Sequence, residues 1–276
     1  MQKFTARVHV ILARKADYGV IIRRGPSKSV CTIGWNTKTD QFTLGQWLRG
    51  RIYERRCDLS PDGRHFIYFA MNGNWSSKVK GSWTAISRAP YLKAIGLWAN
   101  GTGWNGGGLF MDDSTYWLNT PRFGHEVQLA PGALRVHEEF PFHESYGGEC
   151  CGVYYIRLQR DGWSLIRNAA RRNDDHHSVF EKPLPKGWML EKTAHATSDH
   201  PVGSGCYYDT HRLIHREKDL VIECSDWEWA DLNGNSLVWV KKGILFKCHV
   251  NSRGLGFIHQ LYDFNPMEFE AIPAPY

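Results

Sequence analysis

Arg51-Ile52-Tyr53-Glu54-Arg55-Arg56-Cys57-Asp58-Leu59-Ser60-Pro61-Asp62-Gly63-Arg64-His65-Phe66-Ile67-Tyr68-Phe69-Ala70 is the stretch whose reading decides the fold class. Its second half is a strand, a reversal and a strand. Pro61 presets its own φ and the Asp62-Gly63 pair tolerates positive φ, so the chain turns back there. His65 to Ala70 is aromatic and β-branched, as a buried strand requires. The first half is cationic: Arg49, Arg51, Arg55 and Arg56 crowd one strand-like run. On an unbroken strand Arg49, Arg51 and Arg55 would point to one face and Arg56 to the other.

Outward from this stretch the pattern repeats. Strands are expected at residues 7–12, 18–22, 30–35, 42–47, 83–87, 92–98, 109–110 and 116–118, then at 153–158, 163–166, 188–191, 219–224, 237–240 and 244–248. Turn residues separate most of them. Phe140 to Tyr146 and Leu255 to Tyr262 are the two helix candidates, neither with a cap. Asp231-Leu232-Asn233-Gly234-Asn235 restates the Asp58-Leu59 turn, and Asp112 and Asp161 open looser echoes of it. Short strands punctuated by turns predict an all-β chain. With blades of about 40–55 residues, the expectation is a β-propeller-like fold of about five blades, forming one domain over residues 1–276. A β-sandwich or a two-barrel arrangement is the alternative.

Charge is unevenly placed. Residues 1–64 hold 13 Lys/Arg against 5 Asp/Glu, out of 34 and 28 in the whole chain, so the first quarter carries all the excess positive charge. The start of the chain, Met1 to Leu12, has Arg and His interrupting its apolar residues and does not read as a secretory leader. No run approaches the roughly 20 apolar residues that span a bilayer. The seven cysteines form no CxxC pair, which fits reduced, mostly buried thiols. A cytoplasmic location without a membrane partner is expected.

Three strings, Arg23-Arg24-Gly25-Pro26-Ser27-Lys28, Gly50-Arg51-Ile52-Tyr53-Glu54-Arg55-Arg56-Cys57-Asp58-Leu59-Ser60-Pro61-Asp62-Gly63 and Gly106-Gly107-Gly108-Leu109-Phe110, together with Gly45-Gln46-Trp47, are similar to those of a family of uncharacterised bacterial proteins. That resemblance brings no activity with it. The two Asp-Leu turns resemble the hairpin recurring once per blade in β-propellers of the WD40 and TolB type, while the Trp-Asp and Gly-His signatures of WD40 repeats are missing. The resemblance implies a scaffold presenting loops around a central channel for binding, and fold alone does not fix function.

The candidate binding residues are Arg23, Arg24, Lys28, Arg49, Arg51, Arg55 and Arg56. On one face they would offer guanidinium groups to phosphates or carboxylates. Trp104 joins them from the glycine-rich loop Asn100 to Gly108, where an indole beside exposed backbone could stack on a ligand. These residues lead to a non-enzymatic binding protein that engages an acidic partner, either a protein such as a toxin or a nucleic acid. The alternative is a hydrolase, glycosidase-like or phosphoester-directed, drawing on Asp17, Asp112, Asp113, Glu149, Glu223, Asp226 or Glu228. No spacing selects a catalytic pair among these, so the reading leans away from an enzyme. His211 and His215 have the i, i+4 spacing of a zinc helix but lack the Glu of HExxH, and His137, His143, Cys150, Cys151, His176, His177, His195 and His200 are scattered; no metal or cofactor is expected.

Overall fold

Ser60 to Arg64 forms the reversal at the centre of the opening stretch. Asp62 Oδ1 accepts the Ser60 hydroxyl at 2.6 Å and the Arg64 N–H at 3.0 Å, and the His65 N–H donates to Ser60 Oγ at 2.9 Å. Gly63 closes the turn at φ +75°, where a side chain would be strained. The strands on either side pair antiparallel, Asp58 opposite Ile67 and Leu59 opposite Phe66. This computed structural model describes residues 5–120, 125–147, 149–168, 177–200 and 205–276. Half of the chain is strand and 8% is helix, so the molecule is all-β.

The chain divides into two compact units, one of His9–Arg157 with Met267–Tyr276, the other of Met1–Val8 with Leu158–Pro266. In the first, β1 (Arg7–Leu12), β2 (Tyr18–Arg24), β3 (Ser29–Asn36) and β4 (Gln41–Arg49) form a meander in sequence order, the division between units falling inside β1. The next sheet holds β5 (Arg51–Ile52), β6 (Asp58–Leu59), β7 (His65–Met71), β8 (Ser82–Arg88) and β9 (Ala94–Ala99). A smaller sheet holds β10 (Gly108–Phe110) and β11 (Thr115–Leu118); β12 (Glu126–Leu129) then edges β9, and β13 (Arg135–Val136) joins β11. Ile11, Val20, Ile22, Val30, Ile52, Leu59, Phe66 and Tyr68 make one core cluster, and Ile67, Ile86, Trp98, Phe110 and Tyr116 a second. Strand β7 feeds both, because alternate residues leave opposite faces of a sheet.

The one α-helix among the described residues, α1 (Cys150–Arg160), corrects the sequence reading of 153–158 as a strand. Its β-branched and aromatic residues carry strand composition, but residues 152–158 are all buried. A helix covered all round shows no polar stripe, so periodicity could not separate the two. The two expected helices are absent. Residues 140–146 lie in turn and irregular chain, and 255–262 contribute to short strands. A polar connection is expected from the sequence over Asp174 to His177; its first three residues lie outside the described residues, and His177 opens β15.

In the second unit, β14 (Ser164–Arg167), β15 (His177–Pro183), β16 (Met189–Ala196), β17 (Tyr207–His215) and β18 (Leu220–Cys224) follow one another across a sheet. The last sheet is β19 (Trp227–Asn233), β20 (Ser236–Lys241) and β21 (Ile244–Asn251), with β22 (Gly254–Leu255) and β23 (His259–Asp263) both pairing β21. Of the strands expected late in the chain, 237–240 and 244–248 pair antiparallel as β20 and β21, with a tight turn at Asn233 to Ser236 before them, whereas 219–224 closes the preceding sheet as β18.

Candidate binding surface

The seven candidate cations do not share an accessible face. Arg23, Arg55 and Arg56 are buried at 1%, 3% and 3% exposure. The strand expected through residue 56 breaks into a single 3-10 turn over Glu54–Arg56, which swings both arginines inward. Arg23 donates to the carbonyls of Gly25 and Met267. Arg24 pairs with Glu54 at 2.9 Å. Arg55 lies over the Tyr154 ring at 4.7 Å. Arg56 donates to the carbonyls of Gly103, at 2.8 Å, and Asn105, and to Cys150 Sγ at 3.3 Å. Burial pushes the Cys150 thiol up, against the pull of the Arg56 charge. A fourth buried guanidinium, Arg157 from α1, donates to the carbonyls of Glu54 and Cys57 and lies 3.0 Å from His9 Nε2. Removing such donors would leave buried carbonyls unpaired, so these groups hold the fold together.

Lys28, Arg49 and Arg51 are exposed, and they sit together. Strands β3 and β4 pair Ser29 with Arg49, the Gly50 N–H donates to the Lys28 carbonyl at 2.9 Å, and Arg51 opposes Met71. No carboxylate pairs with these three among the described residues. Arg51 stacks on Tyr53 at 4.5 Å, and Arg56 lies 5.2 Å from the same ring. The Arg56 bonds to residues 103 and 105 bracket Trp104, whose indole is 64% exposed. The arginine run and the glycine-rich loop therefore meet: a buried guanidinium holds the loop that presents the indole.

A second exposed indole belongs to residues 72–81, a stretch whose Asn, Gly, Ser and Lys content reads as a polar loop and hides it. Trp75, 54% exposed, packs one side of its ring on Gly81. Asn72 and Gly73 donate their N–H groups to the Gly81 carbonyl at 3.0 and 3.1 Å, which closes the loop. The two loops are neighbours. The Ser82 hydroxyl donates to the Thr102 carbonyl at 2.7 Å, and Gly101 lies beside the Lys80 stem. The available signal was charge rather than hydropathy: from Gly63 to Met111 there is no Asp or Glu, while Arg64, Lys78, Lys80, Arg88 and Lys93 all fall in that span.

Four of the seven carboxylates of the hydrolytic alternative bond to backbone N–H groups or to a lysine. Asp112 accepts the N–H groups of Ser114 and Thr115, and these bonds hold its carboxyl down at about 2. Asp113 caps Asp62 N–H at 3.0 Å. Glu228 accepts the N–H groups of Val8 and Gly243, and Asp226 pairs with Lys241 at 2.7 Å. His211 and His215 lie on β17 rather than a helix, and no group of three or more His, Cys, Asp or Glu that could hold a metal occurs among the described residues.

No family model matches the chain, and no curated protein does. Solved structures match it at low similarity. They include uncharacterised protein lmo1340 of Listeria monocytogenes, at 11% identity and TM-score 0.32, covering 94% of this chain and 66% of that one. The AtxE2 isopeptidase with astexin3-dC4 bound matches at 8% identity and TM-score 0.41, covering 95% and 53%. The GH43 protein BlXynB of Bacillus licheniformis matches at 10% and 0.32, covering 93% and 56%. The chain thus spans about half to two thirds of the length of these proteins.

Proposed function

We propose that this chain is a binding protein whose contact surface is the accessible end of the first unit, where Lys28, Arg49 and Arg51 stand beside the Trp75 and Trp104 loops, and that its partner is acidic. One observation carries this reading: of three exposed cations without carboxylate partners among the described residues, Arg51 opposes Met71 at the entry to the loop that carries exposed Trp75, while Arg56 braces the loop that carries exposed Trp104. Arg23, Arg24, Arg55 and Arg56 support that surface from inside and do not touch the partner. The antiparallel meanders suit propeller-type blades, each built from consecutive strands. The strings around Arg24, Arg56 and Gly107 form one structural signature, since Arg24 pairs with Glu54 and Arg56 braces the glycine-rich loop.

The test is capture of partner from the native host with wild type and with the K28E/R49E/R51E triple variant. Capture that falls steeply with added salt and is lost in the triple variant, with thermal stability unchanged, is the expected result. Undiminished capture by the variant would remove the surface from consideration.

A further inference from the structure

We infer that this surface takes single-stranded nucleic acid, with Trp75 and Trp104 stacking on unpaired bases and Lys28, Arg49 and Arg51 meeting phosphates. The inference rests on the binding reading above and names the chemistry of its partner.

The loops that carry both indoles are braced before any ligand arrives. The Trp104 backbone N–H donates to Thr102 Oγ1 at 3.2 Å, and its carbonyl accepts Asn100 Nδ2 at 2.9 Å. Arg56 holds the carbonyls on either side. In the other loop the Ser77 N–H donates to the Asn74 carbonyl and the Lys80 N–H to the Ser77 carbonyl. An apolar ring displayed from a braced polar loop loses little conformational freedom on binding, and every base offers a π-face to it. Asn72, Asn74 and Lys78 are exposed on the Trp75 loop and offer donors for phosphate and base edges.

Charge points the same way. The span Gly63 to Met111 contributes five cations and no acid, and the exposed Glu126 that reaches it from β12 is taken up by Lys80 at 2.5 Å. An acidic protein would use the cations but gives two polar-loop indoles no apolar pocket. A duplex would use the cations too, but it keeps its base faces stacked internally. Cations interleaved with exposed aromatics are the arrangement that suits unpaired strands.

Fluorescence anisotropy tests this on the full chain, with labelled oligothymidylate and oligouridylate of about 12 nucleotides, within the site sizes such surfaces take. A duplex of the same length and polyglutamate are run beside them. Preference for the single strands is expected, with a log–log salt slope of about −2 for three phosphate contacts. W75A and W104A should each weaken binding by about tenfold to a hundredfold and leave the melting temperature in place. Duplex bound as tightly as single strand, or Trp variants that bind like wild type, would overturn the assignment. Polyglutamate binding lost in the triple variant, without any oligonucleotide binding, would overturn it and leave the acidic-partner reading standing. Binding of none of these probes would overturn the assignment, and host capture by wild type against the triple variant would then decide the acidic-partner reading.

Discussion

At the scale of single residues, Arg56 and Arg51 belong to one short run and play opposite parts. Arg56 is buried against two carbonyls and a thiol, and Arg51 is exposed on a tyrosine ring. Arg56→Met should lower the unfolding free energy by roughly 3 kcal/mol, because it strands buried acceptors, whereas Arg51→Met should stay within about 0.5 kcal/mol. Urea titration distinguishes them. The difference was not legible in the sequence: a guanidinium bonded to carbonyls leaves no acidic partner to be found in the string. His211 makes a second case. It is buried on β17, its Nδ1–H donates to the Trp227 carbonyl at 3.0 Å, and its Nε2 has no hydrogen-bond partner among the described residues. Burial first, then the Lys192 charge, lowers its pKa to about 3. The folded chain keeps it neutral while the unfolded chain takes up a proton below about pH 6.5. Stability is therefore fully present above that pH and falls as pH drops toward 3, by about 1.4 kcal/mol per unit from this group. Comparing urea midpoints at pH 7 and pH 5, wild type should lose roughly 2 kcal/mol more than His211→Gln.

Among the elements, the turns were the most legible part. Ser60-Pro61-Asp62-Gly63 is written in residues that bond their own backbone, and it folds accordingly. Helix α1 was not legible, since covering on all sides erases the stripe by which a helix is recognised. The glycine-rich loop was seen in sequence, but its purpose comes only from its neighbours. At Gly107, φ is +76° and a Cβ would overlap the Arg56 carbonyl oxygen, which fixes the loop against the 3-10 turn. Gly107→Ala should destabilise the first unit by more than about 2 kcal/mol through strain and overlap together. Thermal unfolding reads this directly, and an unchanged midpoint would mean that the loop does not need that close approach.

At the scale of the whole molecule, strand content and the meandering order of strands could be read ahead, because alternation and turn residues repeat in every sheet. How the chain distributes its segments could not, because strands of both units follow the same pattern. Residues 267–276 return to the first unit as an irregular strap. The Gln46 side chain donates to the Ile272 carbonyl at 2.9 Å, Phe269 lies 6.2 Å from the Trp47 ring, and the Tyr276 hydroxyl donates to the Lys93 carbonyl at 2.6 Å while accepting the Arg88 N–H at 3.0 Å. A chain ending at Pro266 should melt lower, by about 2–4 °C for each kcal/mol those contacts contribute. The strap also bears on biosynthesis. A ribosome makes residues 9–157 early and 267–276 only after every residue of 158–266 has been added. The unit begun first thus waits for its final piece until the other has been fully translated, and in that interval Trp47 and Arg23 lack their covering and are open to capture by a chaperone.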